Sequence, residues 1–179
     1  MEQAIKVKLQ PLTPESFEPY GKLLQSKKLI YPETEKGKVA MELLRFKYRA
    51  NANRMDQMAI HFTYNQTFIP VQGSMVLVVA PPPSNREAGP EGYELDYDKI
   101  AAFVVDPGQA AFIYKGTWHN ALTLGAECQF INVTRKDAGE GTSPAEELEG
   151  KIERASAVRP YVENINMSKR DGKVIELEV

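Results

Sequence analysis

The chain has 179 residues, a formal net charge of −2, 42% hydrophobic residues and 26% charged ones. That balance suits one soluble globular domain over 1–179, and a chain of this length buries roughly 70% of its unfolded surface. It offers no basic face for nucleic acid or an anionic membrane, and its single cysteine, Cys128, excludes an intramolecular disulfide, a CxxC pair and a cysteine-based zinc site.

Residues 5–9 alternate apolar and charged, like an edge strand. In LTPESFEPYG, Thr13 reads as an N-cap with Pro14 at the first helical position, and Gly21 ends a helix of about two turns. Residues 26–37 are charged, contain Pro32 and read as a loop. From Val39 onward the pattern is strand after strand: MELLRFKYRA, QMAIHFTY, TFIPV and SMVLVVA, the last closed by three prolines. SNREAGPEGYELDYDK is a Gly/Pro/acidic loop, followed by IAAFVVDPG, QAAFIYKG, NALTLG and CQFINVTR, each bounded by a turn signal. Many short strands at regular spacing predict an antiparallel sandwich or small barrel. Residues 143–158 look helical, with Ser143 before Pro144 and Glu146 and Glu147 in the first turn. The tail carries two more strand-like pieces around the turn KRDGK. Cys128 lies in the apolar run AECQFINV and is expected as a buried core thiol. No apolar run approaches the ~20 residues of a membrane helix, and MEQAIKVKLQPLTPESF has no apolar leader segment. A cytoplasmic protein is expected.

Only two histidines occur, His61 in IHFTYNQTFIPVQG and His119 in GTWHNAL. Gln66 follows His61 by five residues and Gly73 follows Gln66 by seven. Residues of one parity share a face of a strand. His61 and Gln66 differ in parity, so they meet only across a bulge or strand break, for which Asn65 is the candidate. No GxSxG elbow, phosphate-binding Walker loop or GxGxxG turn competes with the histidines.

Gln66, six residues and Gly73 resemble the end of the first of the paired cupin motifs, and Gly116-Thr-Trp-His119 resembles the second. At a narrower level, LTPESFEPYGKLL, QTFIPVQGSMVLVVA, IAAFVVDPGQAAFIYKGTWHNAL and FINVTR are similar to the ureidoglycolate lyase family, over about residues 9–137. The resemblance implies a mainly β, cupin-type antiparallel β-barrel (a double-stranded β-helix) with one or two short helices, with residues 138–179 adding a helix and a strand-like tail. It implies a carbon–nitrogen lyase of allantoin and purine nitrogen degradation that splits ureidoglycolate into glyoxylate and urea, working as a homodimer. Ala59 and Ile60 stand where the family tends to have Glu-Arg, and His119-Asn120 where it often has His-His.

Ureidoglycolate is a hemiaminal, so one general base and one general acid suffice for its breakdown. His61 and His119 are the candidates. Lys115 is a third catalytic candidate, able to pair with the substrate carboxylate or to stand as a solvated strand-end lysine. Gln66, Arg49, Tyr114, Trp118 and Arg135 are the substrate-binding candidates. A divalent metal (nickel, zinc or manganese) held by His61, Gln66 and His119 would join carboxylate to hydroxyl, with the carboxamide a weak third ligand. The expected partner is a small carboxylate, with no nucleic acid and no membrane. The homodimer is expected to use the N- and C-terminal strands. The alternative is a degenerate cupin that binds or senses a small acid without turnover.

Overall fold

The computed structural model describes residues 2–48, 50–137 and 162–179. Its elements, in chain order, are β1 (Gln3–Pro11), α1 (Pro14–Phe17), β2 (Gly21–Leu23), β3 (Lys38–Lys47), β4 (Arg54–Met55), β5 (Gln57–Ile60), β6 (Gln66–Gln72), β7 (Met75–Ala80), β8 (Ala101–Val105), β9 (Ala111–Ile113), β10 (Trp118–Leu122), β11 (Glu127–Lys136), β12 (Glu163–Asn166), α2 (Met167–Asp171) and β13 (Lys173–Glu178). They make a mainly β fold of two sheets. The larger runs β12-β5-β10-β7-β8-β1-β13-β4 and the smaller runs β2-β9-β6-β11-β3.

The apolar patterning explains the layering. Every residue of β7, Met-Val-Leu-Val-Val-Ala, is buried, as a central strand covered on both faces requires. Its odd residues Met75, Leu77 and Val79 share a core with Phe103 of β8 and with Phe68, Ala111, Ile113, Cys128 and Phe130 of the smaller sheet. Those side chains are the contact between the two sheets. Its even residues Val76, Val78 and Ala80 share a second core with Met58, Ile60, Trp118, Ile175, Leu177 and Met167. The larger sheet therefore curls around apolar residues of its own. Asp56 is the only residue between β4, at one end of that sheet, and β5, near the other.

Several expectations are corrected. β1 is not an edge strand: it runs parallel to β13 on one side and to β8 on the other, so the fold is not wholly antiparallel. Its polar residues are tolerated because the face away from the core stays exposed. Thr13 does cap α1, with a capping box closed by Ser16, but the helix is a single turn. Gly21 opens β2 instead of ending a helix, and a Cβ there would stand 1.9 Å from the Phe112 carbonyl oxygen of β9. Only glycine permits that approach. In the tail, KRDGK is not a turn between two paired strands. Asn166 caps α2, Gly172 ends it in the left-handed conformation, β12 pairs with β5, and β13 pairs with β1 and β4. Both terminal strands β1 and β13 are thus enclosed, and among the described residues the edge strands of the smaller sheet are β2 and β3. The helix expected over 143–158 lies outside the described residues. Among the described residues no helix is long and apolar enough to cross a membrane.

Candidate active site

The two histidines reach one place from different strands. β5 and β10 are antiparallel neighbours, with His119 opposite Ala59. His61 directly follows β5, and its carbonyl accepts from the Gly116 N–H at 2.7 Å just before β10 begins. Gly116 holds a φ of +82°, and a Cβ would stand 2.9 Å from the Phe62 ring. The glycine of the GTWH motif therefore lets the chain turn tightly beside His61.

Between β5 and β6 the chain leaves the sheet over residues 61–65. This break removes the parity conflict between His61 and Gln66, since they stand on opposite sides of it. Tyr64, inside the break, stacks on His61 with ring centroids 3.7 Å apart and an interplanar angle of 10°. Its carbonyl oxygen lies 3.1 Å from His61 Nδ1. His119 Nδ1 likewise lies 2.9 Å from the Thr117 carbonyl oxygen. The rings of His61 and His119 meet edge to face with centroids 4.9 Å apart. Both are buried, at 2% and 4% exposure.

A chain of polar side chains runs from His61 across the smaller sheet. His61 Nε2 lies 3.0 Å from Gln66 Oε1. Gln66 Nε2 donates to Asn132 Oδ1 at 2.8 Å, and Asn132 Nδ2 donates to Glu42 Oε1 at 2.9 Å. Lys136 Nζ closes the chain on Glu42 Oε2 at 3.2 Å. Asn132 and Glu42 are register partners on β11 and β3. Thr134, two residues along β11 on the same face, is 3% exposed, and its Oγ1 has no hydrogen-bond partner among the described residues. Sequence reading missed Glu42, Asn132 and Thr134. The legible signal was that β11 alternates inward and turns from Cys128 and Phe130 to the polar Asn132 and Thr134 on one face.

The other expected site residues lie apart. Lys115 pairs with Glu35 at 3.2 Å and Glu33 at 3.6 Å. Arg135 is 4% exposed, donates to Thr63 Oγ1 and forms a two-pronged pair with Asp137. Tyr114 is half-buried and rests edge-on against Phe112, and burial, aided by Glu18, pushes its phenol up. Trp118 is fully buried in the outer core, where its Nε1 donates to the Glu94 carbonyl oxygen and Arg170 lies over its ring. It is not brought to the histidines. Arg49 lies outside the described residues.

A histidine that donates Nδ1–H to a main-chain carbonyl keeps Nε2 for a metal or a proton. His119 is oriented in that way by the Thr117 carbonyl, whereas His61 Nε2 also faces Gln66 Oε1, and imidazole suits nickel, zinc or manganese. Gln66 adds a neutral amide oxygen, and no group of three or more His, Cys, Asp or Glu occurs among the described residues. The donor set fits a divalent ion held weakly. The two buried imidazoles, 4.9 Å apart, are of the residue type that general acid–base chemistry uses.

The profile of the ureidoglycolate lyase family matches residues 27–152. A putative ureidoglycolate lyase of Agrobacterium fabrum is 31% identical over 144 residues, 75% of this chain and 85% of that one. A ureidoglycolate lyase of Chelativorans sp. is 27% identical over 158 residues, 77% of this chain and 88% of that one. Among solved structures, a mutant of Bacillus subtilis oxalate decarboxylase aligns with a TM-score of 0.39 and 14% identity, over 66% of this chain and 26% of that one.

Proposed function

Because the chain belongs to the ureidoglycolate lyase family, we propose that it splits ureidoglycolate into glyoxylate and urea, as a carbon–nitrogen lyase. The observation that carries this reading is the buried edge-to-face pair of His61 and His119. The reaction removes the carbinol hydroxyl proton, forms the aldehyde C=O, breaks the C–N bond and protonates the departing urea nitrogen. One base and one acid balance it. His119, with Nδ1 on the Thr117 carbonyl, takes the hydroxyl proton at Nε2. His61, whose two ring nitrogens both face oxygen acceptors, gives the proton to urea. Each such transfer is worth roughly 10²–10⁴-fold. When bound at His61, Gln66 and His119, a divalent ion would acidify the hydroxyl as a Lewis acid.

The test is incubation of the protein with ureidoglycolate, with glyoxylate and urea followed against spontaneous breakdown. Equal amounts of both products, lost in His61→Ala and in His119→Ala, support the reading. No turnover with any added divalent metal sinks it. The second reading, a small-acid binding module, is favoured by Ala59 and Ile60, which are apolar and buried where the resemblance has Glu-Arg. Thermal stabilisation by glyoxylate or ureidoglycolate without turnover would support it.

The same reading places the protein in the cytoplasm, in purine nitrogen breakdown through allantoin, as a homodimer. Support for the dimer is the exposed row Val39, Met41 and Leu43 on β3, an edge strand among the described residues. A native mass of one chain at micromolar concentration would overturn it.

A further inference from the structure

From the chain of polar groups behind His61, we infer that Glu42 is a positioning residue that turns the Gln66 carbonyl oxygen toward His61. A carboxylate only accepts hydrogen bonds, whereas an amide both donates and accepts. Glu42 meets Lys136 with one oxygen and Asn132 with the other. Asn132 must therefore present its NH₂ to Glu42, which leaves its oxygen for Gln66 at 2.8 Å. Gln66 must then spend its NH₂ on Asn132, which leaves its oxygen 3.0 Å from His61 Nε2. One surface-proximal carboxylate thus fixes two amide orientations in sequence. Reversing Asn132 would set its oxygen against the Glu42 carboxylate, and reversing Gln66 would set its oxygen against that of Asn132, each at about hydrogen-bond distance. The chain crosses from β3 through β11 to β6, so the register of three strands is what aligns it.

Glu42→Gln is the decisive variant. Lys136 donates only, so it claims the new amide oxygen and turns the new NH₂ toward Asn132. Asn132 and then Gln66 must reverse, and Gln66 offers His61 an NH₂ in place of an oxygen. Lys136→Gln removes the ion pair but leaves the carboxylate in place.

The first measurement is NMR of the protein without substrate, which does not depend on the lyase reading. In the unsubstituted protein the Gln66 side-chain NH₂ should give nuclear Overhauser contacts to Asn132 and not to the His61 ring. In Glu42→Gln these contacts should move to the His61 ring, and in Lys136→Gln they should stay. The second measurement rests on the lyase reading: kcat for ureidoglycolate should fall about 10- to 100-fold in Glu42→Gln with KM little changed, the loss typical of an orienting partner. It should be kept in Lys136→Gln. Contacts from the Gln66 NH₂ to the His61 ring in the unsubstituted protein, or an unmoved pattern in Glu42→Gln, overturn the inference. So does an equal loss of kcat in Lys136→Gln, which would assign the effect to the ion pair. If the unsubstituted protein does not turn over ureidoglycolate, the lyase reading fails alone and the NMR contacts still decide the role of Glu42.

Discussion

Trp118 and His119 are consecutive in β10 and serve opposite faces of the larger sheet. Trp118 lies in the outer core with Val78 and Met58, while the His119 ring approaches His61 and Phe68. A motif that reads as one unit therefore divides between a core residue and a member of the histidine pair. Trp118→Phe should lower stability by about 1–3 kcal/mol, through lost volume and the unpaired Glu94 carbonyl. KM for ureidoglycolate should stay within about twofold, since the ring touches neither histidine. Chemical denaturation and steady-state kinetics check both halves, and a large KM change with unchanged stability would contradict the division.

Thr134 presents a different expectation. Its hydroxyl is buried without a partner among the described residues, so the folded state carries a desolvation cost with no return. Thr134→Val keeps the shape and removes the hydroxyl. The melting temperature should rise or hold, with a gain of up to about 1–3 kcal/mol. A clear loss of stability would show that the hydroxyl is satisfied. A rise in KM alone would make it a contact to substrate.

Asp171 should make stability depend on acid. Burial pushes its carboxyl up, but hydrogen bonds from Arg170 and Tyr97 outweigh that and hold it below its ordinary value of 3.8. A depressed carboxyl gives stability that is present above 3.8 and is lost as pH falls through its folded value. At pH 7, Asp171→Asn should cost about 0.5–1 kcal/mol, a modest figure for a partly exposed group. The gap between the two proteins should close as pH drops below 3.8, measured by urea unfolding at several pH values. A gap that stays constant with pH would rule out the ionised carboxylate as its source.

The Cys128 thiol is pushed up by burial, and further by Glu127, from 9.0 to about 11. The folded protein should not react with a disulfide reagent at pH 8, and the unfolded chain should release one thiol. The raised value also sets a sign for alkali. Stability from the neutral thiol is complete below 9.0 and declines as pH rises toward 11, because the unfolded thiol ionises first. Several tyrosines are raised too, Tyr20 and Tyr93 among them, so the comparison with Cys128→Ala isolates the thiol.

The strand pattern was legible because β3, β6, β7, β8 and β11 each carry apolar alternation or an unbroken apolar run, which depends on local burial alone. The pairing of the terminal strands was not. β1 reads as an edge because its lysines alternate with apolar residues, yet a strand with one face in water can still have neighbours on both sides. The helix turn α2 was hidden because Asn166 and Gly172 act as caps, while the same Gly reads as a hairpin turn in sequence. The two histidines stood out by type and motif, and the parity conflict between His61 and Gln66 pointed to the real strand break. Glu42 and Asn132 escaped because their role comes from register between β3 and β11, distant in sequence. Lys115 and Arg135 drew attention as cations, and only three-dimensional placement shows the acids that accompany them.

β12 covers the outer side of β5, the strand that leads into His61, and it lies past residue 152, where the family profile stops. His61 is thus braced by a segment the family pattern does not describe. Asp56, between β4 and β5, takes a further hold from α2, since its carbonyl accepts from the Met167 N–H at 2.7 Å. A shortened version cut to the family boundary would strip His61 of this brace while leaving every motif residue in place, and would be misread as a dead enzyme. An affinity handle belongs after Val179, which is 94% exposed, and not in place of the last seventeen residues of β12, α2 and β13 (163–179).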